Sequence, residues 1–390
     1  MKNNRTFLEK LLDGAEIEWK PLIKVASLTR GRVISKEYLA NNLGDYPVYS
    51  SQTVNNGEIG KINSFDFDGE FVSWTTDGAN AGTVFYRSGK FSITNVCGLI
   101  KIQNNLELSY KFLFYWLSIE AKNHVYSGMG NPKLMSHQME KILIPIPPLS
   151  VQIEIVKILD ALTALTSELT SELILRQKQY EYYREKLLSE EELGKVGFEW
   201  KCLGETCKKV SSGGTPLSTK DEYYNGDIPW LRTQEVQFNE IWDTEVAITQ
   251  EGLDNSSAKW IPENCVIVAI SGATAGRSAI NKIPLTTNQH CCNLQIAPEY
   301  ANYRYVFHWV CKEYEKLKSL GQGARADLNS GIIKNYPIAL PPLREQQRIV
   351  SILDKFETLT NSITEGLPLA IKQSQKRYEY YRELLLNFKL

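Results

Sequence analysis

His290-Cys291-Cys292 sets three potential zinc ligands in a row, and Cys202 and Cys207 stand close by in sequence with four residues between them. The first group lacks the usual ligand spacing and the second lacks a partner pair, so buried thiols with no bound metal are expected. Asn131-Pro132 runs on into Lys133-Leu134, without the second proline and aromatic residue of a base-methylating site, and reads as a turn. A G-x-x-x-x-G-K-[ST] phosphate loop does not occur, which argues against ATP hydrolysis. No catalytic residue is assigned.

Two further patterns suit binding. Gly272-Ala273-Thr274-Ala275-Gly276-Arg277 has the composition of a turn whose N–H groups cradle a phosphate, and equally of a tight connection between strands. Arg277 beside it tips the reading towards a DNA backbone. Bases are recognised by Arg or Lys on guanine and by Asn or Gln on adenine. Residues of these types on expected loops are Arg30, Arg32, Gln52, Asn55, Asn56, Asn80, Arg87 and Lys133 in the first half. In the second half they are Lys208, Lys209, Lys220, Arg232, Gln234, Arg277, Asn288 and Arg325. Whole-chain charge gives no support, because 44 Lys and Arg face 45 Asp and Glu for a net charge of −1. A DNA surface must be a local basic patch against an acidic remainder.

The elements that position these residues are set by an internal repeat. Pro147-Pro148-Leu149-Ser150-Val151-Gln152 returns as Pro341-Pro342-Leu343-Arg344-Glu345-Gln346, 194 residues on. Tyr180-Glu181-Tyr182-Tyr183-Arg184-Glu185 returns as Tyr378-Glu379-Tyr380-Tyr381-Arg382-Glu383, 198 residues on, so the second copy is longer by about one helical turn. Apolar residues between these blocks recur in steps of three, four or seven, from Ile155 to Leu187 and from Ile349 to Leu385. That spacing predicts one apolar stripe per helix, and two such stripes invite an antiparallel coiled-coil pair. From Ser150 to Leu188 the helix would be roughly 58 Å long. Gly366 and Pro368 should weaken or kink the second copy, whereas Leu165-Thr166-Ser167-Glu168 and Leu169-Thr170-Ser171-Glu172 repeat inside an unbroken first.

The stretches before each helix correspond more weakly. Gly78-Ala79-Asn80-Ala81-Gly82 matches Gly272 to Gly276, and Thr94-Asn95 matches Thr287-Asn288. Glu70 to Trp74 and Cys265 to Ile270 read as strands, Tyr110 to Leu117 and Tyr303 to Val310 as helices. The expected fold class is α+β: two mixed globular domains, residues 1–146 and 191–340, alternating with helices over 147–190 and 341–390. The start of the chain has no apolar segment of a secretory signal, and no stretch suits a membrane span. Seven cysteines, an odd number scattered without a paired framework, fit a reducing, cytoplasmic setting.

The PPL-x-x-Q helix start, the Tyr-Glu-Tyr-Tyr-Arg-Glu ending and the two-fold plan resemble the specificity subunits of type I restriction–modification enzymes. Gly213-Gly214-Thr215-Pro216 and Asp227-Ile228-Pro229-Trp230-Leu231 resemble common segments of that family, and Asp45-Tyr46-Pro47-Val48-Tyr49 takes the Pro-Trp place without its Trp. The resemblance implies two target-recognition domains, each reading half of an asymmetric bipartite site in double-stranded DNA, held at fixed spacing by the helices. It also implies docking of two methyltransferase subunits and two restriction subunits, which would carry S-adenosylmethionine, ATP and Mg²⁺. Tyr182 and Tyr380, recurring in both helices, are expected to face a partner. The rival reading is a protein-binding scaffold with no direct DNA readout.

Overall fold

The computed structural model describes residues 7–388 except for 129, 323–326 and 363. The candidate Arg325 lies outside the described residues. The chain divides into two compact units, one of residues 1–169 with 371–390 and one of residues 170–370.

In the first unit a six-stranded sheet runs, in spatial order, Ala26–Arg30, Cys97–Ile102, Phe67–Thr75, Val84–Ile93, Leu43–Tyr49 and Glu58–Ile62. Its pairings are antiparallel except one, where Val48 and Tyr49 lie parallel to Ser92 and Ile93. Helix Tyr110–Glu120 closes one face, burying Phe112, Leu113 and Leu117 against Val72, Trp74 and Ile100. A separate two-stranded ribbon pairs Glu18–Pro21 with Leu143–Ile146 and leads into the long helix.

The second unit follows the same plan with its sheet divided. Five strands run Cys207–Ser212, Cys291–Ile296, Val266–Ala269, Ser278–Asn281 and Asn239–Ile241. A four-stranded sheet contains Tyr224–Leu231, whose Trp230 and Leu231 lie parallel to Thr286 and Thr287. The expected strands and helices are thus present, and helix Tyr303–Lys312 repeats the role of Tyr110–Glu120. The ribbon returns as Glu199–Cys202 with Pro337–Leu340. Its companion tryptophans repeat too: Trp116 Nε1 donates to the Leu143 carbonyl and Trp309 Nε1 to the Pro337 carbonyl. Trp19 packs edge-on against Trp116, as Trp200 does against Trp309.

The first long helix is unbroken from Leu149 to Leu187, 39 residues. The second copy is two helices, Leu343–Asn361 and Gly366–Leu385. Gly366 begins the new helix at φ +79°, where a Cβ would lie 2.6 Å from the Thr358 carbonyl oxygen. Only glycine fits that close approach. Pro368 then falls in the first turn, where a missing N–H costs nothing. Within the first unit the helices run antiparallel: Asp160 is at the level of Tyr378, and Thr166 Oγ1 is 2.9 Å from Ser374 Oγ. In the second unit Tyr183 stacks on Phe356, 5.4 Å between centroids.

Gln152 and Gln346 explain the repeated PPL-x-x-Q start. Both are buried. Gln152 Oε1 accepts from Ser109 N–H, while its Nε2 donates to the carbonyls of Glu107 and Pro147. Gln346 Oε1 accepts from Asn302 N–H and its Nε2 donates to the Pro341 carbonyl. Ser109 and Asn302 are the N-caps of the two equivalent helices. One side chain therefore ties each long helix to the cap of the helix beneath the sheet, satisfying both a donor and an acceptor in a dry site.

Candidate nucleic-acid interface

The first unit gathers its loops on one rim through backbone bonds between distant segments. Gly78 N–H donates to the Pro132 carbonyl and Leu134 N–H to that of Thr76. Thr94 Oγ1 and Ser50 Oγ are 2.9 Å apart, and Asn80 Nδ2 donates to the Ser51 carbonyl. Arg30 reaches the Asn95 carbonyl at 3.2 Å. Six of the expected readers therefore meet, Arg30 at the end of its strand and Gln52, Asn55, Asn56, Asn80 and Lys133 on the loops. Arg30, Asn55, Asn56 and Lys133 are exposed, whereas Gln52 and Asn80 are half-buried with their amides engaged in loop bonds. Arg32 is exposed beside the rim and paired with Asp66 at 3.0 Å.

Arg87 departs from expectation. It lies mid-strand and is only 2% exposed, between the rings of Tyr49 and Phe85. Its Nε donates to Ser73 Oγ and its Nη1 to the Asn56 carbonyl. Burial lowers its pKa to about 10. A side chain so enclosed does not reach a base edge.

The second unit builds its rim from equivalent turns. Thr274 Oγ1 donates to the Thr233 carbonyl, Gly214 N–H to that of Thr287, and Asn288 N–H to that of Leu231. Arg232, Gln234 and Arg277 lie here. Arg232 is paired with Glu245 and Glu235, and Arg277 donates to Gln237. Gln234 is exposed, and its carbonyl accepts from Gln237 Nε2. Asn288 is a second correction: it is buried, and its Oδ1 accepts from His290 N–H and the Cys291 thiol. Lys208 and Lys209 sit elsewhere, on the strand Cys207–Ser212, lining with Lys334 a hollow of about 410 Å³. Lys220 is held by Tyr223 and Glu222.

The Gly-rich turns resolve as strand connections. Ala275 N–H donates to Gly272 O, Gly276 N–H to Ala269 O and Arg277 N–H to Thr274 O. Ala81, Gly82 and Thr83 repeat this pattern with Gly78, Thr75 and Asn80. Gly272 N–H faces Asp327 Oδ1 at 3.3 Å. Four N–H groups of the turn, those of Gly272, Ala275, Gly276 and Arg277, are thereby engaged within the protein, as in a tight connection between strands. Sequence reasoning missed Val54, Tyr126, Gln237, Gln289 and His290, which the rims also expose. Among these only Val54 has a local signal that could have found it, the Asn55-Asn56-Gly57 turn that follows.

Cys291 and Cys292 are successive residues of one strand and point to opposite faces, each into a different core cluster, so they cannot share a metal. One trio of potential ligands is gathered among the described residues, His308, Asp354 and Glu357. Arg304 already fills that place, bonding Asp354 and Glu357 at 2.6 Å and also Glu240. Asp354, although half-buried, is held below the usual carboxylate range by His308 and Arg304. Burial pushes Glu357 up to about 7 and His308 down. Tyr180 OH lies 3.2 Å from His308 Nδ1, so the cluster fastens the long helix to its own unit. The first unit has Asp160 in the corresponding place, bonded by Lys111 and Tyr115. Tyr182 and Tyr380 point outward, 58% and 63% exposed, while Tyr180 and Tyr378 turn into the cores.

Turns held by the same three backbone bonds in each unit, with different side chains on each rim, are those of a duplicated domain. The pattern described as the type I restriction modification DNA specificity domain matches residues 16–176 and again 195–373. The chain belongs to the type I restriction enzyme specificity subunits. The specificity subunit of EcoR124I/EcoR124II from Escherichia coli is 37% identical, covering 98% of this chain and 97% of that protein. A specificity subunit from Haemophilus influenzae is 41% identical over the full length of both. The fold is that of the type I S subunit crystallised from M. genitalium, at a TM-score of 0.64, 14% identity and coverage of 100% and 99%. Among the described residues of this specificity subunit no helix is long and apolar enough to cross a membrane.

Proposed function

We propose that this specificity subunit reads an asymmetric bipartite site in double-stranded DNA, one half with each rim, and catalyses nothing itself. The observation that carries the reading is the pair of rims: the same backbone bonds hold Gly78–Gly82 and Gly272–Gly276, while the exposed side chains around them differ. A fixed frame with variable readers suits two different half-sites. On this reading the two recognition domains are residues 1–146 and 191–340, with the helices of 147–190 and 341–390 setting the gap. Tyr182 and Tyr380 mark two equivalent surfaces for two methyltransferase subunits, and two restriction subunits complete the enzyme in the cytoplasm. S-adenosylmethionine, ATP and Mg²⁺ belong to those partners.

Exchanging residues from about Leu193 to Pro337 with those of a relative tests the reading, with methylated-site sequencing of cells carrying the complete system. One half-site should change and the other persist. A change in both halves refutes modular reading, and a native chain that retains no DNA in a mobility-shift assay with methyltransferase present favours the scaffold.

A further inference from the structure

The turn that follows the strand Leu43–Tyr49 has an unusual backbone. Asn55 and Asn56 have φ of 51° and 54°, and Gly57 follows at 81°. Two successive non-glycine residues in the left-handed region persist only where their surroundings over-determine them, and asparagine tolerates the region best. Ser50 N–H donates to the Gly57 carbonyl, Gln52 Nε2 to that of Glu58, and Asn80 Nδ2 to that of Ser51. From beneath, Arg87 Nη1 donates to the Asn56 carbonyl at 2.9 Å.

Arg87 is itself anomalous. A buried guanidinium is ordinarily matched by a carboxylate, and among the described residues Arg87 has no ion-pair partner. Its positive charge lies 3.6 Å above the Tyr49 ring centroid and 4.4 Å from that of Phe85. Nε donates to Ser73 Oγ at 3.0 Å. The buried cation therefore fixes one feature of the surface, the carbonyl of Asn56. Above it Val54 is 76% exposed, and Asn55 and Asn56 are exposed as well.

We propose that Val54-Asn55-Asn56 is a base-reading tip of the first unit, suited to a step containing A·T pairs, and that Arg87 is the positioning residue that holds it. The proposal rests on the DNA reading above. An asparagine amide matches the N6 and N7 edge of adenine, and the valine methyls match the thymine C5 methyl. The corresponding loop of the second unit, after strand Tyr224–Leu231, offers Arg232, Gln234 and Gln237 instead, so the two tips read different bases.

The test is methylated-site sequencing of cells carrying the full chain with its modification subunit, for Asn56→Ala, Arg87→Met and Arg87→Lys. Asn56→Ala should cut discrimination roughly ten- to hundred-fold at adjacent positions of one half-site. Arg87→Met should broaden the same positions with the second half-site unchanged, and Arg87→Lys should recover part of the loss. Replacing thymine by uracil at those positions should weaken binding of the native chain, and that of Val54→Ala less. If Arg87→Met does not fold, Ser73→Ala, which removes only the Nε acceptor, should broaden the same positions more mildly. An unchanged site with Asn56→Ala overturns the tip. An unchanged site with a folded Arg87→Met, or failing that with Ser73→Ala, overturns the positioning role. In that event a Gln237→Ala chain that alters the second half-site leaves DNA reading intact, whereas no change in either half removes that reading as well.

Discussion

Truncating Gln152 to alanine should loosen the first unit at one identifiable joint. The side chain is fully buried and makes three hydrogen bonds, from Ser109 N–H at 3.0 Å and to the Glu107 and Pro147 carbonyls at 2.8 and 2.9 Å. Each is worth about 1 kcal/mol net, and its removal leaves a dry donor or acceptor unmatched, so the loss should be about 3 kcal/mol. For a unit of 150–250 residues that corresponds to a fall of roughly 6–12 °C in Tm. Gln346→Ala removes two bonds, to Asn302 N–H and the Pro341 carbonyl, and should cost about 2 kcal/mol in the other unit. Gln152→Glu keeps the shape but turns the donor towards two carbonyls into a third acceptor, so it should be at least as damaging at neutral pH. Urea melts followed by hydrogen-exchange mass spectrometry would resolve the units, with the Ser109 amide losing protection in Gln152→Ala and the Asn302 amide in Gln346→Ala. A Tm shift below about 2 °C with Ser109 still protected would refute the assignment of this glutamine as a staple.

Glu357→Gln should stabilise the second unit at pH 8 and change it little at pH 5, measured by urea melts at both. The folded pKa of about 7 lies above the usual carboxylate value of 4.5, so the stability Glu357 contributes is complete below that value and is lost as pH rises through 7, by up to about 3 kcal/mol. Changing Tyr182 and Tyr380 together to alanine should weaken methyltransferase-subunit binding with both units still folded; unchanged assembly in analytical ultracentrifugation would count against an interface there. Adding one Leu-Thr-Ser-Glu unit after Glu172 lengthens the helix by about 6 Å. The unspecified gap should then grow by one or two base pairs, at about 3.4 Å each, with both half-sites unchanged; site sequencing that finds an active variant with the old gap would separate helix length from spacing.

The long helices and the duplication were legible in the sequence because both are local or self-referential. Helical periodicity repeats every 3.6 residues, and an offset of 194 needs only the chain compared with itself. The helix break was legible for the same reason, since Gly366 and Pro368 carry their backbone preferences with them. Rim residues were legible only as types. Arg30, Asn55, Asn56 and Lys133 could be placed on loops, but their meeting depends on bonds such as Gly78 to Pro132 and Asn80 to Ser51, which join segments far apart in the chain. Arg87 and Asn288 looked like surface readers because Arg and Asn usually are. Strand pairing with Phe71 put Arg87 in the sheet between two aromatic rings, and the close return of His290 and Cys291 enclosed Asn288. The Gly-rich turn likewise could not show which N–H groups were already engaged. Residue type determined what each side chain could do; long-range pairing, which no local pattern encodes, decided which of them reach solvent to do it.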